Sequence, residues 1–182
     1  PNARKLVEGR GQYVDDIVLP RMVHAAFVRS PHAHARILKI DGAEALKMPG
    51  VLRVFTGKDL VTHCDPWVAT LAHLKGMKSA PQHPLPSERA TWVGEAVAAV
   101  VAESRAIAKD AAELVEVDYE PIDAVADVEK ALADGAPLVH SDLETNECYV
   151  WKLETDDVQA AIEAADVVVT RRYFQPRLIP NR

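Results

Sequence analysis

Residues 23–41 read VHAAFVRSPHAHARILKID. Two apolar runs within them decide the fold class: 23–28, and then Ile37, Leu38 and Ile40. Neither carries the three-to-four-residue stripe of an amphipathic helix. Arg29, Ser30 and Pro31 break the runs apart, because proline fixes its own φ and pushes the preceding serine toward extended geometry. The stretch therefore reads as strand, corner, strand. After Pro31, residues two apart on a strand face the same side, which predicts His32, His34 and Arg36 on one face and Ala33, Ala35 and Ile37 on the other.

Composition sets the outer bounds. A chain of 182 residues is about one domain and can bury roughly 70% of its unfolded surface, so it needs no metal or disulfide to fold. Its 48% hydrophobic and 26% charged residues exclude disordered and fibrous classes. Aromatics make up only 5%, so the core must be built from Val, Ala, Ile and Leu. A formal charge of −6, without a basic stripe, argues against a nucleic-acid partner. The two cysteines, Cys64 and Cys148, form neither CxxC nor CxxH and fit a reduced, cytoplasmic setting. The longest apolar run, residues 96–102, falls far short of the roughly 18–20 residues of a membrane span.

Outward from the opening pair, residues 1–8 form a polar, basic lead-in. Gly9-Arg10-Gly11 imitates the start of a phosphate loop, but Val14 stands where its last glycine belongs and Asp15-Asp16 follows, so a turn into a strand over 12–14 is expected. A short helix is predicted at 43–47, stopped by Pro49-Gly50, then a strand at 51–55 and a helical stub at 58–61. Trp92-Val93-Gly94-Glu95 leads into AVAAVVA, which reads as a strand covered on both faces, with Gly94 allowing a bulge or close backbone approach. Ser104 is placed to cap a helix with Ile107, Ala111, Leu114 and Val115 inward, and the alternation over 115–119 predicts a half-buried strand. Further helices are expected from Asp127 to Gly135 and after Thr155, the latter with Asp156 and Asp157 in its first turn and Val158, Ala161, Ile162 and Ala165 buried. A last strand is expected over 166–172. Mixed helices and strands without strict alternation make an α+β fold and disfavour a doubly wound sheet.

Residues 60–89 break the rhythm with four prolines, His63, His73, His83, Cys64 and Trp67. Loops of this length are uncommon inside domains and are often functional or partner-contacting. Two readings compete: a metal site using His63, Cys64 and His73 or His83, and a loop lying on a partner or neighbouring domain, which the non-standard ligand spacing favours. His32 and His34 could chelate a metal, but two imidazoles are an incomplete shell. The paired carboxylates Asp15-Asp16, Asp156-Asp157 and Asp142 with Glu144 lack the geometry of an acid–base dyad, and no GxSxG elbow or active-thiol motif occurs. No catalytic, cofactor-binding or metal residue is assigned.

Five blocks in order, GRGQYVDDIVLPRMVHAAFVRSPHAHARILKID, PGVLRVFTGKDL, WVGEAVAAVVAES, DAAELVEVDYEPIDAV and ALADGAPLVH, resemble the N-terminal a/b hammerhead domain of molybdenum hydroxylase large subunits. That family includes xanthine dehydrogenase, aldehyde oxidase and aerobic carbon monoxide dehydrogenase. RSPHAHARI and QPRLIPNR look more like the bacterial carbon monoxide dehydrogenase-type chains. The resemblance implies an α+β hammerhead, a mixed sheet with packed helices, over residues 9–172, with 173–182 leading toward a molybdenum-cofactor domain. It implies a fragment of an oxidoreductase subunit whose full form uses a molybdenum–pterin dithiolene, with [2Fe–2S] and FAD on partner domains or subunits, assembled as a dimer of heterotrimers. The fragment itself would be structural and docking, and inactive alone. The alternative is a free-standing small-ligand or metal-binding module using the 60–89 loop with His32 and His34.

Overall fold

A computed structural model describes residues 3–69, 71, 73–155 and 157–173. The chain divides into two compact units, Pro1–Tyr149 and Val150–Arg182. In the first unit the elements run α1 (Ala3–Val7), β1 (His24–Arg29), β2 (Ala35–Asp41), α2 (Ala43–Lys47), β3 (Val51–Thr56), α3 (Gly57–Leu60), β4 (Arg89–Ala90), β5 (Ala96–Ala102), α4 (Arg105–Ala112) and β6 (Glu116–Pro121).

These strands form two three-stranded sheets, ordered β1-β5-β3 and β4-β2-β6. Every pairing is antiparallel. The expected single mixed sheet is thus two antiparallel sheets: the corner at 30–34 carries the chain from one sheet into the other instead of back onto the first.

β5 is the middle strand of its sheet, and its composition explains why. Ala98, Val100 and Ala102 are fully buried on one face. Small side chains there let α4 approach closely, with Ala108 and Ala111 also fully buried. α4 begins where expected, the Ser104 hydroxyl accepting the Ile107 N–H at 3.2 Å, which satisfies one of the free donors of its first turn. Ala45, Ala98, Val100, Ala111 and Val115 form the core, flanked by Val28, Val51 and Val54 of the first sheet and Ile40 and Val117 of the second. One core therefore serves both sheets. On the opposite face Val97 is fully buried while Ala99 and Val101 are half-buried, so the coverage of both faces read from the sequence is only partial on that face. β5 and β6 flank α4 in sequence but belong to different sheets.

α3 grows directly from β3. Asp59 accepts from the Thr56 N–H at 2.8 Å and from the Thr56 hydroxyl at 2.7 Å, and these two donors, the hydroxyl foremost, hold its carboxyl below the ordinary carboxylate range. Gly57 lies under the long loop: a Cβ there would stand 2.4 Å from the Pro86 carbonyl oxygen and 2.7 Å from that of Leu85. Leu85 itself is 2% exposed, and Trp67 and Gln82 pair their backbones at 2.7 and 2.8 Å. The 60–89 segment is thus pinned at both flanks although it lacks periodic structure.

Four expected elements come out differently. Residues 12–14 do not form a strand: Val14–Asp16 is a 3-10 turn, because the Asp16 carboxylate takes the Tyr13 N–H at 2.9 Å and closes the chain on itself. The helix expected from Asp127 shrinks to the 3-10 turn Lys130–Leu132. Asp127 does cap it, accepting from Glu129 and Lys130, and Gly135 takes its left-handed φ of +76°. Too few residues lie between those stops to repay helix nucleation, and Val128 and Leu132 stay 58% and 60% exposed. In the second unit, α5 (Val158–Glu163) starts at Asp157 without a side-chain cap rather than at Thr155. Asp156 lies outside the described residues, and the expected stripe of Val158, Ala161, Ile162 and Ala165 is exposed. The strand expected over 166–172 is absent, with Val167, Val168 and Val169 exposed: a strand needs a ladder partner, and the described residues of this unit supply none.

The contact beneath the loop makes a direct test. Gly57→Ala drives a methyl into the backbone of residues 85–86 and is expected to destabilise the chain by about 1–3 kcal/mol, seen as a lower urea midpoint at unchanged slope.

Candidate functional site

Two places gather polar or ligand-sized features: the corner between β1 and β2, and a cleft under the long loop.

At the corner, Ser30 is 2% exposed. Its hydroxyl accepts the His32 N–H at 3.1 Å and lies 3.1 Å from the His32 carbonyl oxygen, a tight serine turn of the kind Ser favours before a break in a strand. Its backbone continues the β1–β5 ladder, donating to the Glu95 carbonyl and accepting from the Gly94 N–H, both at 2.8 Å. Gly94 stands at φ +88°, a left-handed conformation that suits glycine. Among the described residues a Cβ there would meet nothing nearer than the Trp92 ring at 3.8 Å, so the expected close backbone approach is absent and the backbone conformation is what calls for glycine. β2 begins only at Ala35, so the two-residue alternation does not extend back to the histidines. The expected basic face of His32, His34 and Arg36 is therefore broken: His34 and Ala35 are buried together, His32 is half-buried, and Arg36 is exposed and pairs with Glu120 at 3.0 Å.

His34 is 7% exposed, and its Nδ1 lies 2.8 Å from the Asp123 carbonyl oxygen. A carbonyl only accepts, so Nδ1 carries the proton. Nε2 is buried and has no partner among the described residues, and the same holds for the hydroxyl of Tyr119. The Tyr119 ring meets His32 edge-on at 5.0 Å. Burial pushes the Tyr119 phenol above its ordinary value, partly offset by the nearby Ser30 hydroxyl, but that hydroxyl gives its proton to the His32 carbonyl, so the Tyr119 oxygen gains no hydrogen bond from it. An imidazole lone pair and a phenolic O–H sealed from solvent can steady a corner, but they present no atom that a substrate could reach. The sequence pattern marks neither Tyr119 nor the Asp123 carbonyl for this corner, and it marks Ser30 only as part of the break between the strands. The alternation over 115–119 did place Tyr119 among the half-buried positions.

The cleft, of about 330 Å³, is lined by residues of two segments, Ala69, Met77 and Lys78 among the first and Val139, His140 and Cys148 among the second. The Lys78 N–H donates to the Cys148 carbonyl at 2.9 Å, and Asn146 ties the second segment down by donating to the carbonyls of Ala131 and Pro137. Neither His32 nor His34 lines this cleft, so the binding module imagined from the loop plus the histidine strip is split between separate places. No group of three or more His, Cys, Asp or Glu residues is arranged to hold a metal among the described residues. His63 is engaged locally by Thr62 and the Asp59 carbonyl. The paired carboxylates serve structure: Asp15 pairs with Arg105 at 3.3 Å, Asp16 closes its turn, and Asp142 accepts from its neighbour Ser141.

The unpaired hydroxyl of Tyr119 gives a testable consequence. Tyr119→Phe removes a buried polar group that has no partner and is expected to raise stability by about 1 kcal/mol. Because the folded-state phenol titrates above its unfolded value of about 10, the wild type loses stability as pH rises past that value. Urea midpoints measured from neutral pH to strong alkali should show the variant without that share of the alkaline loss.

The family described as "Aldehyde oxidase and xanthine dehydrogenase, a/b hammerhead domain" matches residues 8–123. The carbon monoxide dehydrogenase large chain of Afipia carboxidovorans is 36% identical over 97% of this chain and 23% of its own length. The xanthine dehydrogenase molybdenum-binding subunit of Escherichia coli is 34% identical over 93% of this chain and 22% of its own. Among solved structures, quinoline 2-oxidoreductase from Pseudomonas putida superposes with a TM-score of 0.74 at 44% identity, covering 79% of this chain and 18% of that one. The chain thus spans about a fifth of the length of the relatives it matches. With the two antiparallel sheets, the shared core and the match over residues 8–123 in agreement, the chain belongs to the a/b hammerhead domain family of aldehyde oxidase and xanthine dehydrogenase.

Proposed function

We propose that this chain is the hammerhead portion of the large subunit of a molybdenum-dependent oxidoreductase, in which it is a structural and docking part without a catalytic site of its own. One observation carries the reading: relatives match nearly the whole chain, and the chain makes up only about a fifth of them. On this reading residues 9–172 form the domain, 1–8 lead into it, and 173–182 begin the path toward a molybdenum-cofactor domain.

The residues present do not fit the family's cofactors. An iron–sulfur cluster takes four ligands, ordinarily cysteine thiolates, whereas this chain has two cysteines, Cys64 half-buried and Cys148 exposed. The Gly9–Gly11 turn is followed by Asp15 and Asp16, a poor setting for the phosphate of a pterin nucleotide or FAD. The orphan polar atoms at the corner are closed to a ligand. Molybdenum–pterin, [2Fe–2S] and FAD are accordingly proposed for the rest of the polypeptide and for partner iron–sulfur and flavin subunits, in a cytoplasmic dimer of heterotrimers. No helix among the described residues is long and apolar enough to cross a membrane.

Native protein purified from its source, examined by intact mass and elemental analysis, tests this. A chain four to five times longer than 182 residues, as the 23% and 22% shares of the relatives imply, carrying molybdenum and co-purifying with iron–sulfur and flavin subunits, is the expected result. Expressed alone, the 182 residues should bind no molybdopterin and show no turnover. A native chain of this length without molybdenum overturns the reading.

A further inference from the structure

The face of the β1-β5-β3 sheet turned away from the core carries an arrangement that the fold itself does not use. Register puts Phe27, Ala99 and Phe55 in one row across the three strands, and Ala25, Val101 and Arg53 in the next. Ala99, small and central, sits between two rings, so the row is a shallow trough with aromatic walls. Phe27 is 51% exposed and Ala25 is exposed, while Ala99, Val101 and Phe55 are half-covered.

Each ring has a guanidinium over it. Arg29 stands 5.8 Å from the centre of Phe27, and Arg53 5.0 Å from that of Phe55. Arg29 donates to the Gly94 carbonyl at 2.8 Å, and Arg53 has a loose ion pair with Asp59 at 3.8 Å. Each guanidinium carries five N–H donors, and the Gly94 carbonyl engages one nitrogen of Arg29 and Asp59 one of Arg53, so donors remain that can meet a carboxylate. In a chain of net charge −6, the trough is framed by two cations, Arg29 and Arg53, the latter only loosely paired with Asp59. An apolar centre with Phe and Arg at its margin is the composition of an interface core.

We infer that this face docks an acidic, apolar surface of the same polypeptide, with an aliphatic side chain seated over Ala99 between Phe27 and Phe55 and carboxylates engaging Arg29 and Arg53. The inference rests on the functional reading above. The occupant is assigned to the same polypeptide because about four-fifths of the length of the relatives lies outside the matched region, and a tethered surface needs no affinity of its own to stay bound.

Hydroxyl-radical labelling of the purified native protein, read by mass spectrometry, tests the inference. As exposed as it is here, 51%, the Phe27 ring should label about half as fast as in urea. Docked, it should label at least about tenfold more slowly than in urea, since interface rims exclude water from their centre. The double variant Arg29→Glu/Arg53→Glu, made in the full-length protein, should bring Phe27 labelling back up severalfold while molybdenum content holds. If Phe27 labels at about half its urea rate in a long, molybdenum-containing protein, the inference is wrong and the functional reading stands. Protection that survives charge reversal overturns the acidic character of the occupant, and protection lost when a separate subunit is stripped away overturns its assignment to the same chain. A short, molybdenum-free native chain removes the functional reading, and this inference with it.

Discussion

Everything in the first unit depends on how close α4 comes to β5. Ala98, Val100 and Ala102 on the strand and Ala108 and Ala111 on the helix are all fully buried, and their small size permits a dense contact with few atoms. That closeness puts Val115, at the end of the helix segment, in the same cluster as Ala45, Ala98 and Val100. β6 then starts at Glu116, too near the helix to wander, and pairs with β2 in the other sheet. A larger residue at Ala98 or Ala111 would push the helix outward and separate the two sheets that now share one core.

The corner at Ser30 to His34 is the second half of that constraint. It moves the chain between sheets in five residues, and it does so by satisfying backbone groups locally: Ser30 closes on His32, and His34 reaches the Asp123 carbonyl. A buried imidazole and a buried phenol are left each with an unpaired atom, a cost accepted where the turn must be tight and the neighbouring strand must start at Ala35. The chemistry-bearing residue types of this chain are thus spent on shape. This accords with a family in which the domain is a small share of a much longer protein.

Much of this was legible in the sequence, and the failures share a cause. The short elements around β5, from α2 through β3 to the Ser104 cap, follow from signals contained within a few residues: a cap, a proline stop, an apolar run. The five ordered blocks likewise carry the family likeness within the sequence itself. What could not be read was whether an apolar stripe has anything to pack against. Val158 and Ile162 have the spacing of a buried helix face, and Val167 to Val169 the composition of a strand, yet all are exposed, because periodicity reports what a segment could bury and not what it meets. The histidine face failed for a geometric reason: alternation holds only within a strand, and the strand begins after His34.

The pinning of the 60–89 segment has a consequence for how such a domain can change. Gly57 against Pro86 and Trp67 paired with Gln82 bring the ends of the segment together. Closing a loop whose ends are already fixed costs little more as it lengthens, about 0.6 kcal/mol for each doubling. Residues can therefore be gained or lost within 71–76, clear of the Trp67–Gln82 pair and the Lys78–Cys148 hydrogen bond, at small energetic expense, while a single added carbon at Gly57 costs about 1–3 kcal/mol. The stretch 71–76 is thus the part of the segment whose length and composition the rest of the fold constrains least, while Gly57, the Trp67–Gln82 pair and the Lys78–Cys148 hydrogen bond hold what surrounds it.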